Sequence, residues 1–234
     1  MRLRSMIALA LVAGLVLPGA SAAQDTRPGV GIMPFDNGGS YGQDAEDYSA
    51  LSIGLQQMLI GEMARNSGLR LVERGRLNEL IAEQDLAASE RVDANTAAQI
   101  GRLIGARYMV LGGFIDFYGD FRLDTRVVDV ETSEIIKTDR ARDQRENLFD
   151  ILFSLANDIP DGLELPALSA GDRQTREENR DRLKDAPAEA VRAYMRGLLY
   201  QDRGDNERAA ELFAEAVEAF PMYHEAQEAL NQVS

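Results

Sequence analysis

The chain of 234 residues has no cysteine, no tryptophan and a single histidine, His224. The first absence removes disulfides, thiol catalysis and thiolate metal sites together, and with them the acylated cysteine of a bacterial lipoprotein. One histidine without a cysteine excludes the common nucleophilic triads and the typical zinc sites. Positive charge is also scarce: 25 Lys and Arg stand against 39 Asp and Glu, for a formal net charge of -14. Such a chain is repelled by phosphate backbones and by anionic lipid headgroups, which argues against nucleic-acid binding. Long apolar runs are missing everywhere except at the N-terminus.

That N-terminal run sets the expected compartment. Arg2 and Arg4 precede an apolar stretch from Met6 to Leu17, followed by Pro18 and the small residues Ala20, Ser21, Ala22 and Ala23. The pattern predicts a signal peptide over residues 1–23, cleaved after Ala22 or Ala23, and a periplasmic protein. The run is shorter than the roughly 20 residues that a spanning helix needs; a retained amphipathic anchor is the alternative. An exported chain without cysteine suits an oxidising compartment. Cleavage removes Arg2 and Arg4 but no acid, so the charge moves from -14 to -16.

The rest reads as an α/β body with a helical appendage. A buried strand is expected at Pro28–Phe35, a glycine-rich loop at Asp36–Asp47 and an amphipathic helix at Tyr48–Asn66. Gly68 lies just past that helix, where a left-handed cap is wanted. Leu69–Glu73 reads as a strand and Arg76–Ala87 as a helix. A further helix has Asp93 as N-cap, an apolar face of Ala97, Ile100, Leu103 and Ile104, and Gly105 at its close. Arg107–Phe117, Phe121–Val130 and Glu134–Arg140 then form an antiparallel meander with turns at Tyr118-Gly119-Asp120 and Glu131-Thr132-Ser133. Glu146–Ile159 is amphipathic and covers the sheet. The expected divisions are an α/β domain over 28–160, a charged linker or solvated helix over 161–187, and a helical hairpin with a capping helix over 188–234.

In that last segment Gly197, Tyr200, Gly204, Ala209, Phe213, Ala216 and Pro221 have the spacing of one tetratricopeptide (TPR) repeat, a helix–turn–helix of about 34 residues that binds other proteins. Gly197 and Ala209 are small where the helices cross, Tyr200, Phe213 and Ala216 fill the seam, Gly204-Asp205 opens the turn and Pro221 ends the second helix. An ordinary helical hairpin is the alternative. A single repeat cannot bury both faces of its hairpin, so one face must pack on the α/β domain, a second copy or a partner. Tyr194, Leu198, Gln201 and Asp202 are expected on the concave face as a partner-binding surface, unless Tyr194 and Leu198 pack internally.

The central domain resembles the curli assembly/transport component (CsgG-like) family. The resemblance is carried by Ile32-Met33-Pro34-Phe35-Asp36-Asn37, Leu71-Val72-Glu73-Arg74 with Leu77, Val92-Asp93 leading into Ala97-Ala98-Gln99-Ile100-Gly101, Gly105-Ala106-Arg107-Tyr108, and Val127-Val128-Asp129-Val130-Glu131-Thr132. It runs from about Gly29 to Asp143. It implies an exported domain near the outer membrane, with a mixed sheet flanked by helices. Well-known members form a secretion pore for amyloid subunits, and relatives serve flagellar or other envelope assemblies or activate peptidoglycan synthases. Two departures count against the pore. There is no cysteine to acylate, and the strand ending at Phe117 returns without the long insertions that become membrane hairpins.

Catalysis finds little support. Gly38, Gly39 and Gly42 could offer amides to an anion, but the loop has no lysine and carries Asp36, Asp44, Glu46 and Asp47. Glu177-Glu178 reads as a solvated pair, and no EF-hand spacing occurs. No catalytic, cofactor-binding or metal residue is assigned. The expectation is a non-enzymatic periplasmic or outer-membrane-associated assembly or adaptor protein. It has envelope protein partners at the hairpin, homo-oligomerisation through the α/β domain and no integral membrane segment. A subunit of a curli-type secretion channel is the alternative; an envelope hydrolase with an acid pair in a cleft ranks third.

Overall fold

The computed structural model describes residues 25–83, 92–161, 163 and 165–234; the expected signal peptide and the end of the Arg76–Ala87 helix lie outside them. A six-stranded mixed sheet forms the centre. Strands β1 (Gly29–Ile32), β3 (Arg70–Leu71), β4 (Tyr108–Phe117), β5 (Asp120–Asp129) and β6 (Ile135–Gln144) run in the order β3-β1-β4-β5-β6, and short β2 (Asp36–Asn37) also pairs with β4. β1 is parallel to β3 and β4, whereas β4, β5 and β6 are the expected antiparallel meander. The parallel pairs need crossovers, and helices supply them: α1 (Ala45–Ala64) before β3, then α2 (Arg74–Glu83) and α3 (Ala94–Ile104) before β4.

Alternation along the strands sends side chains to two cores. Ile32, Val110, Phe114, Leu123 and Val127 meet α1 and helix α4 (Leu148–Asp158) on one face. Met33, Met109, Leu111 and Val128 meet α2 and α3 on the other. Asp93 caps α3 by accepting from Thr96 N at 2.8 Å, and Gly105 closes it with φ 66°, as expected. Leu103, expected on the buried face, is exposed; Gly101 takes its place because a Cβ there would meet Val130 at 2.5 Å. Gly68 is no left-handed cap either, since φ is not positive there. Its small size matters instead, because a Cβ would lie 2.6 Å from Pro166.

The charged 161–187 stretch contains a docked helix, α5 (Ala170–Leu183), closed at its start by a Ser169/Asp172 capping box. Its Arg176, Asn179 and Leu183 are buried. The sequence reads as solvated because α5 docks through polar atoms: Asn179 Nδ2 donates to buried Glu62 of α1, and Arg176 lies over the Phe153 ring at 5.0 Å.

Helices α6 (Ala188–Asp202), α7 (Asn206–Ala219) and α8 (His224–Val233) form the hairpin and its cap. Gly197 is where the first two cross: a Cβ would sit 2.4 Å from Phe213, which is fully buried with Ala209 and Ala216. Gly204, at φ 77°, and Asp205, which accepts from Arg208 N, make the turn. Tyr200 is only half-buried: its ring packs against the hairpin core, and its hydroxyl donates to Glu46 at the start of α1. The other face of α6 is covered by the body. Met195 and Leu199 enter the core beneath α1, and Gly54 of α1 permits it, since a Cβ there would meet Met195 Cγ at 2.3 Å.

Candidate interaction surfaces

The residues expected on the concave face are all engaged inside the molecule. Tyr194 and Leu198 are buried in the hairpin core, where the Tyr194 ring lies 4.9 Å from that of Tyr223 and burial pushes its hydroxyl pKa up. Gln201 accepts from Arg74 of α2 at 3.2 Å. Asp202 forms an ion pair with Arg74 and accepts from Asn78. The hairpin is fastened to the body at three places: by these polar contacts, by Met195 and Leu199, and by Arg196 on Glu46.

A fourth tie is polar and buried. Glu62 accepts from Asn179 and from Arg65, Arg182 bonds Asn179, and Arg65 and Arg182 both reach Glu225 of α8. α5 thereby joins α1 to α8. Burial raises the Glu62 pKa above its ordinary value and, in the same place, lowers that of Arg176.

Two of the features open to solvent among the described residues combine apolar surface with an aromatic or charged rim. The first is a groove of about 250 Å³ where the N-terminal turns of α1, α4 and α6 converge. Leu51, Leu148, Phe149, Val191 and Met195 give it apolar walls, and Asp47, Arg145, Glu146 and Arg192 stand at its edges. The second is the β4–β5 tip. Tyr41, Phe117 and Tyr118 are 59%, 57% and 74% exposed, and their rings stack edge to face, 6.0 Å from Tyr41 to Phe117 and 5.2 Å from Phe117 to Tyr118.

The tip is rigidly held. Tyr118 and Gly119 both have positive φ, 53° and 95°, in the two-residue turn that matches strand twist. The carboxylate of Asp116, fully buried, accepts from Gly119 N at 2.8 Å and pairs with Arg145. Tyr41 N donates to Asp116 O at 2.7 Å, and Tyr118 N donates to Tyr41 O at 3.1 Å. Sequence reading found the turn. It missed Tyr41, which the glycine loop carries beside Phe117 as an isolated parallel bridge; the aromatic residues bounding that loop and turn were the available signal. The groove has no sequence signal, since three distant segments build it.

Among the described residues no cluster of acidic or histidine side chains could hold a metal ion, and no helix is long and apolar enough to cross a membrane. His224 starts α8 on the surface, and Glu177 and Glu178 lie exposed on α5.

Comparison with known proteins places residues 19–122 in a match to the family model described as Curli production assembly/transport component CsgG. The match ends inside β5, so β6 and helices α4 to α8 lie beyond it. Nothing among the curated proteins matches the chain. Several solved structures are similar to part of the chain. The C-terminal domain of LpoB from Salmonella enterica is 20% identical, with 50% of this chain and 83% of that one covered and a TM-score of 0.37. PelC from Paraburkholderia phytofirmans, solved as a dodecamer, is 12% identical, with 60% and 91% covered and a TM-score of 0.36. Lipoprotein GNA1162 from Neisseria meningitidis is 13% identical, with 58% and 98% covered and a TM-score of 0.36.

Proposed function

We propose that this chain is a non-catalytic assembly or adaptor protein of the bacterial cell envelope, exported to the periplasm and acting through protein–protein contacts. The observation that carries the reading is the match of residues 19–122 to an assembly/transport component. The open surfaces fit it: an exposed aromatic tip and an apolar groove are features of contact, since aromatic residues dominate binding hot spots. In this reading the C-terminal hairpin is a TPR-like unit whose one face is committed to the body, and no residue is given catalytic, cofactor or metal duties.

A secretion-channel subunit is less well supported. Spanning strands need about 9–11 residues each beyond those of the folded body. Here β4 and β5 are joined by two residues, and both are spent in the sheet, with Val110, Phe114, Leu123 and Val127 in its core. The test is the native mass of the exported protein in a periplasmic extract without detergent. A soluble monomer or dimer is expected; a ring-sized particle, or recovery only with detergent, would favour the channel.

A further inference from the structure

The aromatic tip and the groove are neighbours on the surface. Arg145, on the groove edge, donates its backbone N–H to Gly119 O at 2.8 Å. Gln43, also on the edge, follows Gly42, whose Cβ, if it had one, would touch the Tyr118 ring at 3.1 Å.

Tyr118 is costly where it stands. A left-handed backbone disfavours any side chain with a Cβ by roughly 1–2 kcal/mol, and Asn or Gly is the usual occupant of that turn position. The fold gains little in return, because the ring is 74% exposed and meets only Phe117 among aromatic neighbours. Strain held in place by a buried carboxylate, for a side chain the core does not use, points to a contact outside the chain.

The groove supplies the matching shape. At about 250 Å³ it is smaller than the roughly 300–1,000 Å³ of cofactor and drug pockets, and its scale is that of a side chain. Its edge carries both signs of charge. Neither Arg192 nor Glu146 has an ion-pair partner among the described residues. A protruding apolar group beside an apolar recess, with unpaired charges of both signs, is what a self-complementary contact needs.

We propose that the tip and the groove are the two halves of an interface between two copies of this chain. Tyr118 of each copy seats in the groove of the other about a two-fold axis, and Arg192 of each meets the second copy's Glu146. Self-association of the α/β domain is expected from the sequence; the surface that carries it and its two-fold pairing go beyond that expectation and stand on the geometry. With three aromatic rings and one groove per copy, the buried area falls near the lower end of stable interfaces, about 1,200 Å².

The like charge of the copies gives a distinctive sign. Each carries a net charge of -14, or -16 once residues 1–23 are removed. The two Arg192–Glu146 pairs are rim-exposed and worth only about 0–1 kcal/mol each, so repulsion between the copies outweighs them and added salt should strengthen association. A basic partner protein at the same surface would bind more weakly as salt rises.

The experiment is sedimentation equilibrium of the purified protein at about 1–100 μM and at about 50 and 500 mM salt, since screening changes strongly over that range. It is run beside Tyr118→Gly, with thermal unfolding on both. Glycine relieves the positive φ, so the variant folds and its Tm stays level or rises. The expected result is a monomer–dimer equilibrium that tightens with salt and weakens at least tenfold in Tyr118→Gly. A photo-crosslinker at position 118 should join the second copy within residues 186–195. A monomer throughout the range, a dimer indifferent to Tyr118→Gly, or crosslinks that map elsewhere would overturn the proposal. So would binding of the tip to neutral or anionic vesicles in place of a second copy.

Discussion

Adding one methyl group at two glycines of α1 should have opposite effects. At Gly61 nothing lies within 4 Å of a new Cβ, so Gly61→Ala gives only the helix-propensity gain of about 1 kcal/mol. At Gly54 the same methyl would lie 2.3 Å from Met195 Cγ, 2.8 Å from Sδ and 3.0 Å from Cβ. Cβ and Cγ are the near end of that side chain and cannot swing clear while α6 stays in place. Either α6 moves off α1, an overpacking cost of about 1–3 kcal/mol, or Met195 leaves its slot and forfeits burial worth roughly 2–3 kcal/mol. Set against the propensity gain, Gly54→Ala should destabilise by about 1–2 kcal/mol. Urea denaturation followed by circular dichroism reads both variants from their midpoints. In a Met195→Ala background the 2.3 and 2.8 Å contacts go and only the 3.0 Å approach to Cβ stays, so the penalty of Gly54→Ala should shrink, a coupling expected only of residues in contact. If Gly54→Ala raises the midpoint as Gly61→Ala does, the hairpin does not pack on α1 and the account of a single joined unit fails.

Other expectations follow from the same contacts. The Glu62 pKa is raised in the folded chain, so its neutral form is favoured; stability should fall as pH rises through about 4.5 toward the folded value and level off above it. Glu62→Gln should flatten that fall, with a Tm above wild type at neutral pH and equal to it in acid; a uniform offset at every pH would contradict the assignment. Asp116→Ala removes a buried charge partner of Arg145 and the acceptor for Gly119 N, and should cost about 3 kcal/mol in a chemical melt. Loss of the Asp205 cap in Asp205→Ala should cost about 1 kcal/mol, read as a lower Tm. An unchanged Tm would mean that the α6–α7 turn is held by Gly204 and packing alone.

What the sequence determined was local. Period-two and period-3.6 patterns set the meander and the helices, Asp93 and Gly105 bounded α3, and small residues at Gly197 and Ala209 marked the α6–α7 crossing, because each of these depends on neighbours a few positions away. Tertiary structure decided the rest. Helix α5 reads as solvated, yet it docks because Glu62, 117 residues distant, offers Asn179 an acceptor. Tyr194 and Leu198 share one helix face with no mark of whether it meets a partner or the molecule's own α7 and α8; the fold buries them. Gln201 and Asp202 are drawn to Arg74, from more than 120 residues away. The groove and the aromatic tip combine a loop, a turn and three helix starts. Periodicity reports which residues leave water, but the partner that each one finds depends on how distant elements pack.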